Sequence, residues 1–148
     1  MIVVAIIGVL LLVVHLSVPD RAADALKLEA ERFVAMLDDC RETAVLSGSP
    51  AGIRIAGSGY ALERYRREWR PFDQVTDATR RALPEDIAMI LPRARIEETS
   101  ASPAVVCLPS GEAALPGIEL VHRRRPGYYR FHDDIDGEFV AEWVAPRA

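Results

Sequence analysis

Residues 1–18 read MIVVAIIGVLLLVVHLSV, and residues 28–50 read LEAERFVAMLDDCRETAVLSGSP. The first stretch contains no Asp, Glu, Lys or Arg, although the 148-residue chain has 18 basic and 22 acidic residues. As a helix it would be about 27 Å long at ~1.5 Å per residue, close to the ~30 Å hydrocarbon core of a bilayer. A small domain cannot enclose a helix that is apolar on every face. We therefore predict that residues 1–18 enter a membrane.

A cleaved secretory signal is the competing interpretation of this run. Such signals begin with basic residues and end on a small-x-small cleavage site, and residues 1–20 show neither feature. The run is instead stopped by Pro19, whose ring does not continue an undistorted helix. These differences favour a membrane helix.

An amphipathic helix is predicted after Pro19. Apolar residues recur there at spacings of four and three, which places them on one helical stripe. The stripe consists of Leu26, Ala30, Phe33, Leu37, Cys40 and Ala44. Gly48 and Pro50 are typical of a helix end, so we expect the helix to stop near Leu46. The stripe is predicted to pack on a folded head.

The remainder of the chain reads as short strands separated by Gly and Pro. Residues 52–66 predict a hairpin, and residues 73–83 are ambiguous between a loop and a helical turn. Further strands are expected at 68–72, 87–91, 105–108, 118–122, 128–132 and 138–144, the last two joined by a turn at 133–137. One helix followed by about seven strands predicts an α+β fold, with the long N-terminal helix packed on an antiparallel β-sheet head. The expected division is a hydrophobic helix over 1–18 and a head domain over 19–148, comprising an amphipathic helix over 20–46 and a β-rich part over 51–148.

These segments resemble the GspH/FimT family, which comprises minor pseudopilins of type II secretion systems and related minor type IV pilins. The likeness covers the hydrophobic run, its amphipathic continuation and the hairpin AGIRIAGSGYALERYRREWRPF at 51–72. It continues in VCLPSGEA at 106–113 and GYYRFHDDIDGEFV at 127–140. The resemblance implies a pilin-like structural subunit rather than an enzyme. It also implies a single pass through the bacterial inner membrane, with the head in the periplasm.

The resemblance further implies that the apolar run is both membrane anchor and assembly surface. The residues expected to contact lipid, and then the helices of other major and minor pseudopilins, are Ile2, Val3, Ile6, Ile7, Val9, Leu10, Leu12 and Val13. The family's leader junction, of Gly-Phe-Thr-Leu-x-Glu type, would stand just before this run. Because Met1 stands where the residue after that Glu would be, either the start is misassigned or the chain was trimmed. We favour a start upstream of Met1, where prepilin peptidase would act.

A basic run supports an alternative within the same family, a FimT-type minor pilin that binds DNA. The run consists of Arg123, Arg124, Arg125 and Arg130, flanked by Tyr128 and Tyr129. Arginines can hold phosphates and aromatic rings can stack on bases, although a solvated hairpin end explains the same residues. The net charge of −4 provides no general attraction to nucleic acid.

Patterns that carry catalytic chemistry are missing. The histidines match no zinc-binding spacing: His15, His122 and His132. Residues 47–52 have Pro50 where a nucleophile elbow requires Ser. We therefore expect no catalytic residue, no cofactor and no resident metal.

Two questions stay open at the level of sequence. Cys40 and Cys107 read first as small buried hydrophobes, but they could pair in an oxidising compartment. Asp133, Asp134 and Asp136 read as a solvated turn, while clustered carboxylates also suit calcium.

Overall fold

The computed structural model describes residues 20–76, 78–92 and 102–146. Within these ranges the chain forms one helix and ten strands. The helix, α1, spans Arg21–Ser47. The strands are β1 Ala51–Ala56, β2 Gly59–Tyr65, β3 Trp69–Pro71, β4 Arg80–Ala82, β5 Ile87–Ile90, β6 Val105–Cys107, β7 Ala113–Ala114, β8 Glu119–His122, β9 Arg125–Asp133 and β10 Phe139–Val144.

Both ends of α1 are set by local chemistry. Asp20 caps the start, where its Oδ1 accepts a hydrogen bond of 3.1 Å from the backbone N–H of Ala23. Gly48 follows the last turn with a φ of 62°, a left-handed conformation that favours glycine. The helix ends at Ser47, one residue after the predicted end near Leu46.

The strands form two antiparallel sheets. The first has the order β3-β2-β1-β6-β7, with β4 pairing the same edge of β2 as β3 does, and the second has the order β10-β9-β8-β5. The predicted hairpin is β1 and β2, in a register that places Ile53 opposite Leu62 and Ile55 opposite Tyr60. The α+β class with a helix on an antiparallel head is confirmed, but the head contains two sheets rather than one.

Two strands were not predicted. The ambiguous stretch 73–83 contains β4, whose Arg81 lies opposite Tyr60 of β2. This approach requires Gly59, because a Cβ there would overlap the carbonyl group of Arg81. The second is β7, only two residues long, which pairs with β6. Strands this short are formed by their pairing partners and carry no periodic signal of their own.

The core lies where α1 meets both sheets. The helix contacts β1, β2 and β6 of the first sheet and β8, β9 and β10 of the second. Phe33 stands at the centre of this contact. Its ring centroid lies 5.0 Å from that of Tyr60 in the first sheet and 4.7 Å from that of Phe131 in the second, both in edge-on geometry. One helical side chain thus joins the two sheets.

Candidate functional site

The candidate site is α1 together with the surfaces that it meets. The residues predicted to contact lipid and sister helices all fall within 1–18, outside the described residues. Across the ranges that the structure covers, no helix is long and apolar enough to cross a bilayer.

All six residues of the predicted stripe are buried between α1 and the head. None of them is more than 1% exposed: Leu26, Ala30, Phe33, Leu37, Cys40 and Ala44. Met36 joins them on the same face of the helix. The stripe therefore lies where a helix-to-head packing surface would have to be.

The same face of α1 carries a buried carboxylate at Glu29, which is 1% exposed. Arg81 on β4 donates Nε to Oε1 at 3.0 Å and Nη2 to Oε2 at 3.1 Å. The hydroxyl group of Tyr60 donates to Oε1, and Nη1 of Arg32 donates to Oε2, each at 3.3 Å. Burying a charge is unfavourable unless its oxygens are paired, and these four bonds supply the pairing. Glu29 is thus a polar link between the helix and the first sheet.

The hydroxyl group of Tyr60 is held in its protonated, donating form. Burial raises the pKa of Tyr60 well above its ordinary value of 10.0, and the negative charge and hydrogen bond of Glu29 raise it further. The hydroxyl group of Tyr60 therefore keeps the proton that it donates to Glu29 even at moderately alkaline pH.

Arg41 joins the C-terminal half of α1 to the second sheet. Its Nη1 donates to the carbonyl oxygen of Gly137 at 2.6 Å, and its Nη2 lies 3.3 Å from Oδ1 of Asp133. Its guanidinium carbon lies 3.7 Å from the ring centroid of Phe139. These contacts hold the helix to the turn between β9 and β10.

This turn is the predicted aspartate cluster. Asp133 pairs with Arg41, and Oδ1 of Asp134 accepts hydrogen bonds of 2.9 Å from the backbone N–H groups of Asp136 and Glu138. Among the residues with described positions, no three potential ligands lie close enough together to hold a metal ion. The carboxylates of Asp133 and Asp134 are therefore engaged within the protein.

A disulfide links α1 to the first sheet. It joins Cys40 to Cys107 on β6, with the Cα atoms 6.1 Å apart and 67 residues of sequence separation. Both residues are fully buried. The sequence left open whether these cysteines are paired or unpaired, and in the structure they are paired.

We expect reduction of this disulfide to lower the free energy of unfolding by roughly 2 to 4 kcal/mol, because it releases a constraint on the unfolded chain. Urea titrations with and without a strong reductant measure the loss, and intact-mass analysis checks that two hydrogens are gained. A Cys40→Ala/Cys107→Ala variant is the control, since its unfolding midpoint should not respond to the reductant. Equal stability of the reduced and oxidised wild type would contradict the prediction.

The start of α1 is joined to the second sheet. Asp20, the capping residue, forms an ion pair through Oδ2 with Arg125 at the beginning of β9. The guanidinium carbon of Arg125 lies 5.3 Å from the ring centroid of Trp143. The Trp143 ring packs 5.2 Å from that of Tyr129 and covers Gly127, where a Cβ would overlap it. We call this end of the head the base.

The predicted arginine patch is only partly brought together. Arg123 and Arg124 occupy the exposed turn between β8 and β9, next to Arg125. Arg130 lies five residues further along β9 and therefore on the opposite face from Arg125.

Three of these arginines lie close to carboxylates. Nε of Arg124 lies 3.7 Å from Oδ1 of Asp86, and Nη2 of Arg130 lies 3.7 Å from Oε1 of Glu119. Arg125 pairs with Asp20 as described above. Arg123 forms no ion pair with any residue that the structure describes.

The outward face of α1 is exposed within the part of the chain that the structure describes. Its exposed apolar residues include Leu28, Val45 and Leu46. Asp38 and Asp39 lie between these residues along the helix. Partial burial raises the pKa of both carboxyl groups. The positive charge of Arg41 partly offsets this rise at Asp38, and the negative charges of Asp39 and Glu42 add to it at Asp38 and Asp39 respectively. The face therefore combines apolar and acidic contacts.

Comparison with known proteins identifies the fold. No protein-family model and no curated protein sequence matches the chain. Among solved structures, a minor pseudopilin EpsH from the type 2 secretion system of Vibrio cholerae matches with a TM-score of 0.62. The match has 19% identity and covers 83% of this chain and 98% of that one. The fold is that of a minor pseudopilin.

Two further solved structures with the pseudopilin fold also match this chain. A crystal structure of EpsH from Vibrio cholerae has a TM-score of 0.59 at 19% identity, covering 84% of this chain and 96% of its own. The solution structure of E. coli GspH has a TM-score of 0.64 at 19% identity, covering 88% and 95%. The chain therefore spans nearly the full length of the pseudopilin structures that it matches.

Sequence reasoning missed the polar link at Glu29. A usable signal was present, because Glu29 lies three residues after Leu26 and four before Phe33, which places it on the apolar stripe. A charged residue on a buried face requires a partner, so the spacing alone could have indicated one. Its principal partner, Arg81, is 52 residues away and could not have been named.

Proposed function

We propose that this chain is a minor pseudopilin of a type II secretion system. In this role it is a non-catalytic subunit near the tip of a short periplasmic filament that supports secretion of folded proteins. The observation that carries the proposal is the pseudopilin fold of residues that directly follow an 18-residue uncharged run. A helix held to both sheets of its head is suited to connecting that run to the head.

The proposed mechanism is assembly rather than catalysis. Before incorporation, residues 1–18 hold the subunit in the inner membrane. Afterwards the same apolar surface packs among the helices of other major and minor pseudopilins. Because lipid tails are as apolar as leucine side chains, this exchange is nearly balanced in free energy, which permits reversible assembly. The head then selects its neighbours through its loops and strand edges.

The contacts of α1 suit this mechanism because they join the helix and the head into one unit. The first sheet is attached through Glu29 and the disulfide of Cys40, and the second through Asp20 and Arg41. A displacement of the helix is therefore transmitted to both sheets. The disulfide also supports a periplasmic head, since disulfides persist in oxidising compartments.

Val9→Asp is expected to abolish membrane retention. A carboxylate at the centre of a membrane helix costs about 2.5 to 3.5 kcal/mol on the insertion scale, and an 18-residue run has little reserve. Carbonate extraction of cell membranes, followed by immunoblotting, measures retention. Secretion of a folded substrate by a strain carrying only the variant measures function.

Val45→Asp is the matched control, because it introduces the same carboxylate at an exposed position of α1. This variant should remain in the membrane fraction. Retention of Val9→Asp at the wild-type level would refute membrane anchoring by residues 1–18. Normal secretion in a strain lacking the gene would refute the pseudopilin role.

The alternative function, a minor pilin that binds DNA, is favoured by one observation, the exposed turn that carries Arg123 and Arg124 beside Arg125. Phosphate binding there would compete with Asp86 and Asp20 for two of the three guanidinium groups. A salt-sensitive mobility shift of duplex DNA, lost on changing Arg123 to Arg125 to alanine, would support this alternative.

A further inference from the structure

The base of the head adjoins the segment that the proposed function places in the membrane. Asp20 follows Val18 by two residues, a span of at most about 7 Å even when the chain is extended. The headgroup layer on each side of a bilayer is roughly 5 to 7 Å thick, from the difference between total and hydrocarbon thickness. If residues 1–18 lie in the membrane, Asp20 therefore lies within or beside the headgroup layer.

Because Asp20 forms an ion pair with Arg125, the side chains around Arg125 lie at the depth of the headgroup layer. Arg123 and Arg124 precede Arg125 in the same turn, and Trp143 lies over the Arg125 side chain. The Arg124 side chain is 79% exposed and Trp143 is 36% exposed, so each can meet a further partner.

The chemistry of these groups matches that of a phospholipid surface. Guanidinium groups donate paired hydrogen bonds to phosphate oxygens, and tryptophan concentrates at membrane interfaces, where its ring is half in an apolar environment. Within the head, Arg125 pairs with Asp20 and Arg124 pairs with Asp86. The pair of Arg124 with Asp86, at 3.7 Å, is loose enough for Arg124 to exchange the carboxylate for a phosphate. Arg123 has no ion-pair partner among the described residues, so it needs no exchange.

We propose that the base of the head rests on the membrane surface, with Arg123 and Arg124 bound to lipid phosphates and Trp143 at the headgroup layer. This inference rests on the proposed function, because it requires residues 1–18 to be membrane-inserted. The contact orients the stored subunit, and it is released when the subunit leaves the membrane for the filament.

The test uses the intact chain with Trp69→Phe. Because the chain has two tryptophans, this change leaves Trp143 as the single fluorescent tryptophan. The protein is reconstituted into vesicles of phosphatidylethanolamine and phosphatidylglycerol, with or without a lipid that carries a nitroxide on its headgroup. We expect the nitroxide lipid to quench Trp143 emission, as for a tryptophan at the membrane interface. Quenching by acrylamide in the water phase should fall relative to the protein in detergent.

Arg123→Ala/Arg124→Ala should shift the head away from the surface. Each arginine near an anionic surface contributes about fivefold to binding, so the pair should lower the equilibrium constant for docking roughly 25-fold and weaken the nitroxide quenching. The matched control is Arg66→Ala/Arg67→Gly, which removes the same charge. Its turn lies at the other end of α1, where Tyr65 bonds to Pro50, and the 27-residue helix separates the two ends by about 40 Å.

Three outcomes would overturn the proposal, and the first leaves the proposed function intact. If nitroxide lipid does not quench Trp143 while the chain resists carbonate extraction, the subunit is anchored but its base does not touch lipid. Equal quenching in the two double variants shows that the arginines do not bind phosphate. Arginine-dependent binding of duplex DNA without lipid quenching assigns the turn to nucleic acid. Failure of the chain to remain in the membrane would instead refute the proposed function itself.

Discussion

Arg81→Met is expected to lower the free energy of unfolding by about 3 to 5 kcal/mol, because it removes the paired donor of a buried carboxylate. Glu29 would keep its bonds to Tyr60 and Arg32, each 3.3 Å long, but would lose both shorter bonds to Arg81. Glu29 is 1% exposed, so in the folded protein its carboxylate has almost no contact with solvent that could compensate for the loss. Chemical denaturation at neutral pH, followed by circular dichroism, measures the loss.

A double variant separates the ion pair from simple packing. Glu29→Leu/Arg81→Met removes both charges and should recover most of the lost stability, since apolar replacements of a buried pair are often close to neutral. Arg66→Met is the matched control at an exposed position and should change the free energy of unfolding by less than about 0.5 kcal/mol. An Arg81→Met loss no greater than that of the control would show that Glu29 is satisfied without Arg81.

Phe33→Ala is expected to lower the free energy of unfolding by roughly 3 to 5 kcal/mol, the range for removing a fully buried aromatic ring. The loss should reach both sheets, because the ring contacts Tyr60 in one and Phe131 in the other. Trp69 on β3 and Trp143 on β10 report on the two sheets separately when each is studied with the other changed to Phe. The unfolding midpoints from both reporters should fall by the same amount.

Leu28→Ala provides the comparison for this prediction. Leu28 lies on α1 but points outward and is exposed, so its truncation should have an effect below about 1 kcal/mol. A fall confined to one reporter would show that Phe33 stabilises only one sheet. A loss no larger than that of Leu28→Ala would show that the ring does not join the core.

The long helix and the main hairpin could be predicted because their signals are local. The spacing from Leu26 to Ala44 repeats with the helical period, and Gly48 ends the pattern one residue after the helix does. The hairpin of β1 and β2 follows from alternation on both sides of a Gly-rich turn. Such patterns depend on neighbours within a few residues along the chain.

The pairings that build the site could not be predicted in the same way. Glu29 and Arg81 are 52 residues apart, Cys40 and Cys107 are 67 apart, and Asp20 and Arg125 are 105 apart. No periodicity relates residues at these separations, so several arginines were equally consistent with Glu29 and with Asp20, and the two cysteines were equally consistent with being paired or unpaired. The division of the head into two sheets was missed for the same reason, because strand order is a property of distant segments.

The amino-acid sequence by itself determined the class of the protein: an uncharged run of 18 residues, a one-sided helix that stops before Gly48, and a β-rich head. These features depend on the burial preferences and backbone limits of single residues, which act wherever the chain goes. Only the tertiary structure decided which side chains meet on α1, namely Glu29 with Arg81, Cys40 with Cys107 and Arg41 with the turn at Gly137. Such contacts form only when the sheets are already in place, because each requires a partner that packing brings close from a distant part of the chain.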